Sequence, residues 1–174
     1  MTSSVQVKKA EVQSKRVWLM KTEPDVFSFD DLLQAPRQTT CWEGVRNYQA
    51  RNFMRDDFKV GDLALIYHSS TAEPGIAGIA RVVRAAYPDP SALDPKSDYF
   101  DEASRKAGES RWVMVDVKAH ATVNFLPLSC IRSEKKLATM LLLQKGQRLS
   151  IQPVTSAEWN VLEPLLEVIS KPGV

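Results

Sequence analysis

The chain has 174 residues, of which 44% are hydrophobic, and its formal net charge is +2 with a sequence pI of about 8.5. This length is enough for one hydrophobic core and short for two, so we expect a single domain over residues 16–170. The small net charge argues against a histone-like protein that coats nucleic acid, and it leaves nucleic-acid binding to a local patch. No apolar run approaches the roughly 18 to 20 residues of a membrane helix, and the N-terminus lacks the apolar core of a secretory signal, which predicts a soluble, nonsecreted protein without a membrane anchor.

The cysteines and histidines give no support to a metal site. Cys41 and Cys130 lie in different motifs, which predicts neither a disulfide framework nor a CxxC metal site. His68 and His120 are the two histidines, and neither has a Cys or His companion at a ligand spacing. We therefore expect a reducing, intracellular setting and no metal or other cofactor.

The first part of the chain predicts a tail, a strand and a short helix. Residues 1–15 are polar and lack periodicity, which is typical of a flexible tail. The apolar run 17–20 has the length of a strand. Ser28 with Asp31 three residues later forms a capping pattern, which predicts a helix that ends before Pro36.

From Gly44 the pattern favours a helix through about Asp56. Asn47, Arg51 and Arg55 are spaced by four residues, so they would lie on one face of this helix. Three apolar residues would turn inward, namely Ala50, Phe53 and Met54.

The middle of the chain is rich in strand patterns. Residues 62–68 and 76–87 are apolar runs that predict two adjacent strands. Residues 111–120 alternate apolar and polar side chains, which predicts a strand with one buried face. Between them, residues 88–110 are rich in Pro, Asp and Ser and predict a long surface loop, with one helical turn around 99–105.

The last part of the chain predicts shorter elements. Residues 125–128 favour an edge segment, 134–146 a helix that closes at its final glycine, and 148–153 a strand. Thr155 with Glu158 predicts the capped start of a final amphipathic helix. Five or six short strands with intervening helices predict a small α+β barrel.

One segment, CWEGVRNYQARNF at residues 41–53, combines an aromatic ring with many hydrogen-bonding side chains. Trp42 offers a stacking face and Asn47 an amide edge, and both suit a nucleobase. Three cations that can meet phosphate follow the turn, namely Arg46, Arg51 and Arg55. Two further polar motifs, 67–70 and 147–150, lie far along the chain, and together the three motifs predict one shared site.

Several residues have a second interpretation. Trp42 is as consistent with a core residue as with a stacking ring, whereas the other three tryptophans, Trp18, Trp112 and Trp159, lie in patterns typical of core. Arg51 and Arg55 can pair with nearby aspartates as readily as with phosphate. Neighbours on a strand point to opposite faces, so His68 and Ser69 do not suit a nucleophile and its base.

Several of these motifs carry a family resemblance. They include WLMKTEP from Trp18, TTCWEGVRNYQARNF from Thr39, YHSS from Tyr67 and QRLSIQPV from Gln147. In these motifs the sequence resembles the EVE domain family of the PUA-like superfamily, over nearly the whole chain outside the tail. The resemblance implies an α+β fold with a PUA-like mixed β-barrel of five or six strands flanked by helices. It assigns no role to the loop 89–110.

The resemblance also implies a noncatalytic nucleic-acid-binding module that reads a modified base, with modified cytosine in DNA favoured and RNA possible as partner. The residues expected in the base pocket are Lys21, Ser28, Trp42, Asn47, Tyr67, His68 and Ser69. Those expected to contact the nucleic-acid backbone or supply pocket polarity are Arg46, Arg51, Arg55, Arg148 and Ser150. An RNA-binding or RNA-modification-associated module and a nucleoside sensor are the alternatives. The expected location is the cytoplasm in a bacterium and the nucleus in a eukaryote.

Contacts to three to five phosphates would give a slope of roughly −3 to −4 for log affinity against log salt. Replacing Trp42 by alanine is expected to remove base binding and to keep the fold.

Overall fold

The computed structural model describes residues 15–170, so the predicted tail lies outside the described residues except for Lys15. Seven strands form one sheet: β1 Val17–Thr22, β2 Thr39–Trp42, β3 Leu63–His68, β4 Gly75–Pro88, β5 Val113–Pro127, β6 Ile151–Val154 and β7 Val168–Ser170. Five helices flank it: α1 Phe29–Gln34, α2 Tyr48–Asn52, α3 Glu102–Ala107, α4 Leu128–Ser133 and α5 Ser156–Leu165. Between residues 15 and 170, no helix combines the length and the apolarity needed to cross a bilayer.

The sheet is mixed and has the spatial order β2-β5-β4-β3-β1-β6. β1 and β3 are parallel and the other neighbours are antiparallel. β2 pairs with the first half of β5, and β7 pairs with its second half. No pairing joins β2 to β6 in the described part of the chain, so the predicted barrel is open between these two edges. The predicted PUA-like α+β fold is confirmed, with β2 and β7 as strands that the sequence patterns missed.

The core has two parts, one on each face of the sheet. Successive residues of a strand point to opposite faces, and Trp18 accordingly belongs to the first cluster and Leu19 to the second. The first cluster packs beneath α1 and α2, and the second beneath α4 and α5. Trp112 is buried and Trp159 packs against the second cluster, so the predicted core positions of Trp18, Trp112 and Trp159 are confirmed.

The predicted capping patterns are present at both ends of the fold. The Ser28 hydroxyl accepts the backbone N–H of Asp31 at 3.1 Å, and the Asp31 carboxylate accepts the backbone N–H of Ser28 at 2.7 Å. Thr155 and Glu158 exchange the same two bonds at the start of α5. Each pair satisfies backbone donors that a helix start leaves free.

The predicted helix over 44–56 is wrong in its first part. Gly44 has a φ of 80°, which ends any helical path there, and residues 43–47 are extended or irregular. Asn47 instead caps α2, because its side-chain oxygen accepts the Ala50 N–H at 3.0 Å. Asn47 therefore does not share a helical face with Arg51, whereas Ala50 and Met54 are buried as predicted.

The predicted helix over 134–146 is also wrong. The chain forms two 3₁₀ turns there, Lys135–Leu137 and Leu141–Leu143. Leu137 and Met140 both enter the core, and the Gln144 amide donates to the Ala138 carbonyl at 3.2 Å, which holds the irregular path. The predicted edge segment at 125–128 is the end of the long β5 and the start of α4.

Gly78 in β4 generates a first prediction, because a Cβ at this position would overlap the buried Phe29 ring of α1. We expect Gly78→Ala to lower the free energy of unfolding by about 1 to 3 kcal/mol, the usual cost of overpacking. Urea unfolding followed by circular dichroism measures this change.

Phe29→Leu supplies the matched test, because it removes part of the ring that would be overlapped. The double variant should lose less stability than the sum of the two single losses. Additive losses would contradict a direct contact between the added methyl and Phe29.

Candidate functional site

A cavity of about 900 Å³ lies between β2 and the segment that directly precedes β6. Its volume falls within the range of small-molecule binding sites. Trp42 of β2 lines one side, and Arg148 and Ser150, which precede β6, line another. Lys21 at the end of β1 and Ser69 directly after β3 complete the floor. The site thus lies near the edge of the sheet that β2 leaves unpaired.

Seven of the predicted site residues meet at this cavity: Lys21, Arg46, Trp42, Asn47, Ser69, Arg148 and Ser150. Backbone hydrogen bonds bring their segments together, since the Lys21 N–H donates to the Ser150 carbonyl and the Ser69 N–H donates to the Thr22 carbonyl, both at 2.9 Å. The three polar motifs that are far apart in the chain are therefore neighbours in the fold. Their contacts with a ligand stay predictions.

Trp42 is a core residue that also forms part of the cavity wall, and its stacking role stays a prediction. Its side chain is only 8% exposed and belongs to the first core cluster, yet it lines the cavity. The Phe27 ring, also in the wall, meets it edge-on with centroids 6.3 Å apart. Replacement of Trp42 by alanine would therefore also remove core packing, which typically costs about 3 to 5 kcal/mol. The expectation that this variant keeps the fold is not supported by the burial.

The two polar atoms of the Asn47 side chain differ in their hydrogen bonding. Its carbonyl oxygen is engaged by the Ala50 N–H in the cap of α2. Its amide nitrogen makes no hydrogen bond within residues 15–170, and the side chain lines the cavity. Asn47 can thus donate to a ligand acceptor from a fixed position.

The loop 88–110, to which the resemblance assigns no role, forms part of the wall. Asp98 and Tyr99 line the cavity. A Cβ on Gly44 would lie 2.7 Å from the Cζ of Tyr99, so the ring lies directly on the Gly44 backbone. The guanidinium of Arg46 donates from Nε to the Tyr99 carbonyl at 2.8 Å. Sequence patterns gave no signal for these contacts, because they join segments about fifty residues apart.

Asp89 holds this wall in place. Its carboxylate is fully buried and accepts the Gly44 N–H, the Arg46 Nη1 and the Ser91 N–H, each at 2.9 Å. Burial alone would raise the pKa of Asp89, but the hydrogen bonds from Ser91, Gly44 and Arg46 outweigh it, and the net pKa is lowered. The charged form is therefore the stable one in the folded protein.

Five predicted site residues lie outside the cavity. Ser28 is engaged in the cap of α1, and Tyr67 is buried in the second core cluster, on the other face of the sheet. His68 accepts the Phe29 N–H through Nε2 at 3.1 Å. Arg51 packs on Tyr48, and Arg55 pairs with Asp56 at 2.7 Å on the surface. Ser28, Tyr67 and His68 thus support the fold around the site and do not line it.

The polar lining carries both charge signs. Lys21, Arg46 and Arg148 face the cavity with Glu23, Glu43 and Asp98. Burial lowers the pKa of Lys21. Burial, with Glu43 nearby, raises the pKa of the Cys41 thiol, which disfavours the reactive thiolate. Among residues 15–170, no group of three His, Cys, Asp or Glu side chains is arranged to hold a metal ion.

These features define a PUA-like domain with a cavity of ligand size at the open edge of its sheet. The EVE domain family matches residues 16–165, and the chain belongs to this family. It is 44% identical to thymocyte nuclear protein 1 of Gallus gallus over 168 residues, which cover 86% of this chain and 68% of that protein. The Homo sapiens protein of that name is 42% identical over 168 residues, covering 86% and 73% of the two chains.

Two solved structures extend the comparison. A Pseudomonas putida protein superposes with a TM-score of 0.80 at 47% identity, covering 86% of this chain and 98% of that one. The human THYN1 protein, crystallised in complex with DNA that contains 5-methylcytosine, superposes with a TM-score of 0.80 at 40% identity. That match covers 87% of this chain and 97% of the human one. The resemblance stated from the sequence is confirmed.

The buried Asp89 gives a second prediction. We expect Asp89→Asn to lower the free energy of unfolding by about 2 to 3 kcal/mol at pH 7, below the full cost of breaking a buried pair because Arg46 is 21% exposed. Since the folded-state pKa of Asp89 is lowered, its stabilisation is present above the ordinary value of 3.8 and is lost as the pH falls. Urea titrations at pH 7 and pH 3 measure both effects.

Asp57→Asn is the matched control, because Asp57 pairs with Arg16 on the surface and is 43% exposed. Its loss should stay below about 1 kcal/mol. Equal losses in the two variants would contradict a special role for the buried carboxylate.

His68 gives a third prediction, which concerns pH. A backbone N–H can only donate, so Nε2 of His68 must be unprotonated to accept from Phe29. Burial lowers the pKa of His68 from 6.5, against the opposing effect of Asp30 and Asp31. The stabilisation is thus complete above pH 6.5 and is lost as the pH falls through the lower folded-state value.

His68→Gln keeps an acceptor that does not titrate. We expect the stability of the variant, relative to the natural protein, to rise as the pH is lowered from 7.5 to 5. Urea midpoints across this range measure the difference. A difference that stays constant with pH would contradict the assignment.

Proposed function

We propose that this chain is a noncatalytic reader that binds DNA and holds one flipped 5-methylcytosine in the cavity between β2 and β6. The observation that carries the proposal is the position of Trp42, a largely buried aromatic ring in the wall of a cavity that is large enough to admit a base. The 40% identity to a human protein crystallised with DNA containing 5-methylcytosine supports this base as the ligand.

The energetics require more than one contact. Extruding a base from a duplex costs a few kcal/mol, and stacking on an aromatic ring recovers about 1 to 3 kcal/mol. Hydrogen bonds must supply the rest. The free amide of Asn47 can donate to the acceptors of cytosine, and a wall carboxylate can accept from its exocyclic amine, as Glu and Asp do in base readout.

The 5-methyl group would meet an apolar part of the wall, formed by Val26, Phe27 and Val45 beside Trp42. Burial of one methyl is worth about 0.8 kcal/mol, which corresponds to a preference of about fourfold over unmodified cytosine. A larger preference would require tight packing around the methyl. The pocket therefore recognises mainly the cytosine base, and the 5-methyl group adds a small increment of affinity.

Electrostatic affinity is expected from the cations that lack an acidic partner. Arg46, Arg55 and Arg111 are paired with aspartates. Lys21, Arg51 and Arg148 have no carboxylate within 4.0 Å in the described part of the chain. Three phosphate contacts give a salt slope of about −2 to −3, shallower than the sequence alone indicated.

The side chains in and around the cavity favour binding over catalysis. The Cys41 thiol has a raised pKa, the Nε2 of His68 is engaged by a backbone donor, and the Ser69 hydroxyl donates to the Thr22 carbonyl at 3.4 Å. None of these groups is activated as a nucleophile. In a eukaryote we propose a nuclear location, as the name of the animal relatives suggests, and in a bacterium the cytoplasm.

The proposal is tested first with fluorescent duplexes that differ at a single cytosine, which is unmodified, 5-methylated or 5-hydroxymethylated. We expect tighter binding to the 5-methylated duplex and a salt slope of about −2 to −3. Equal, salt-independent binding to all three would contradict a reader. Tight binding of the free nucleoside, with no gain from the oligonucleotide, would indicate a small-molecule sensor.

Asn47→Asp is the fourth prediction. The aspartate keeps the cap of α2 but replaces the free amide donor by a carboxylate, so affinity for the 5-methylated duplex should fall by about tenfold or more. Fluorescence anisotropy measures the affinity, and the melting temperature should stay within a few degrees.

Asn160→Asp adds the same charge on an exposed position of α5, which packs on the other face of the sheet. It should bind like the natural protein apart from a small general effect of charge. Equal losses in the two variants would show that Asn47 acts only through net charge.

A further inference from the structure

Next to the cavity lies a surface that the proposed pocket does not use. It consists of the exposed Tyr48, the buried Trp112 beneath it, and the guanidinium groups of Arg51 and Arg111, and we refer to it as the Tyr48 platform. Tyr48 is 51% exposed, whereas Trp112 is 4% exposed. Their rings stack with centroids 4.9 Å apart and an interplanar angle of 28°. A half-exposed aromatic ring is thus supported from below by the core.

The platform is held rigidly by its arginines. The Arg51 guanidinium lies 4.9 Å from the centre of the Tyr48 ring, and the Arg111 guanidinium lies 5.6 Å from it. Arg51 donates to the Asn52 side-chain oxygen at 2.8 Å and to the Arg111 carbonyl at 3.1 Å. Two bonds of 2.8 and 3.0 Å join Arg111 to the Asp101 carboxylate. The ring is therefore fixed before any ligand arrives, which reduces the entropy lost on binding.

The platform is continuous with the cavity wall. Asn47 lines the cavity and is followed directly by Tyr48. The Arg46 guanidinium lies 5.7 Å from the Tyr99 ring, which faces the cavity, and 5.4 Å from the Trp112 ring under the platform. A nucleic-acid strand with one base in the cavity can therefore reach this surface with its neighbouring nucleotide.

We propose that Tyr48 is a second stacking position, which takes the base next to the one held in the cavity, while Arg51 contacts the phosphate between them. This inference rests on the proposed function. The exposed ring suits the face of any base. Arg51 suits the phosphate because its charge has no carboxylate partner within 4.0 Å in the described residues, whereas the charge of Arg111 is paired with Asp101. The partner is a DNA strand that is single or locally unstacked beside the modified base.

The experiment is a double-mutant cycle that combines a substitution in the protein with removal of a base from the DNA. Single-stranded oligonucleotides carry one 5-methylcytosine, and the nucleotide on either side is thymidine or an abasic analogue that keeps the phosphate. We expect removal of one neighbouring base to weaken binding to the natural protein by about tenfold. For Tyr48→Ala, which lacks the ring, the same removal should change binding by less than twofold. Tyr48→Phe keeps the ring and should respond like the natural protein.

Two outcomes would overturn the proposal. The first is that the abasic analogue, placed on either side of the 5-methylcytosine, weakens binding to the natural protein and to Tyr48→Ala by the same factor. The second is that Tyr48→Phe behaves like Tyr48→Ala. Binding of 5-methyl-deoxycytidine monophosphate tests the pocket independently of the platform. If the mononucleotide binds equally to both proteins and the cycle shows no coupling, only the platform fails. If the mononucleotide and the methylated strand show no specific binding, the proposed function fails.

Discussion

The Asp89 carboxylate determines where two loops of the cavity wall lie. It is buried, and its hydrogen bonds reach the Gly44 N–H on one segment and Ser91 on the other. Arg46 extends the connection to the Tyr99 carbonyl. A buried charge is tolerated only when it is paired and hydrogen-bonded, so the two segments must remain together for Asp89 to stay ionised. Asp89 and Arg46 thus join the segment that follows Trp42 to the loop that carries Tyr99.

The second constraint is the opening of the sheet between β2 and β6. A fully closed barrel of this size would fill its interior with side chains. Here the opening leaves room for a ligand while both edges stay attached to a continuous core. Trp42 combines the two functions, because one part of its side chain packs in the core and another faces the cavity.

Local signals in the sequence predicted much of the fold. The capping pairs at Ser28 and Thr155 and the alternation in β5 depend on near neighbours, and they appear in the structure as expected. The short strand β2 escaped prediction because four residues carry little periodicity. The segment 134–146 has helical composition, but burial of Leu137 and Met140 imposes short turns.

The sequence predicted which motifs meet at the candidate site, but not the contacts that join the segments of its wall. The three polar motifs meet, as their chemistry indicated. The motif 67–70 predicts Tyr67 and His68 in the pocket beside Ser69, but β3 directs Tyr67 to the opposite face and His68 to the start of α1. Tyr99 was missed because no pattern in a single sequence links it to Gly44.

In the proposed complex, a 5-methylcytosine leaves the duplex and lies against Trp42. The most direct measurement is an NMR spectrum of the complex with a duplex whose single 5-methyl group is labelled with ¹³C. We expect nuclear Overhauser contacts from this methyl to the ring protons of Trp42, and loss of the imino proton signal of the paired guanine. A retained imino signal, with methyl contacts only to DNA or to exposed side chains, would contradict this proposal.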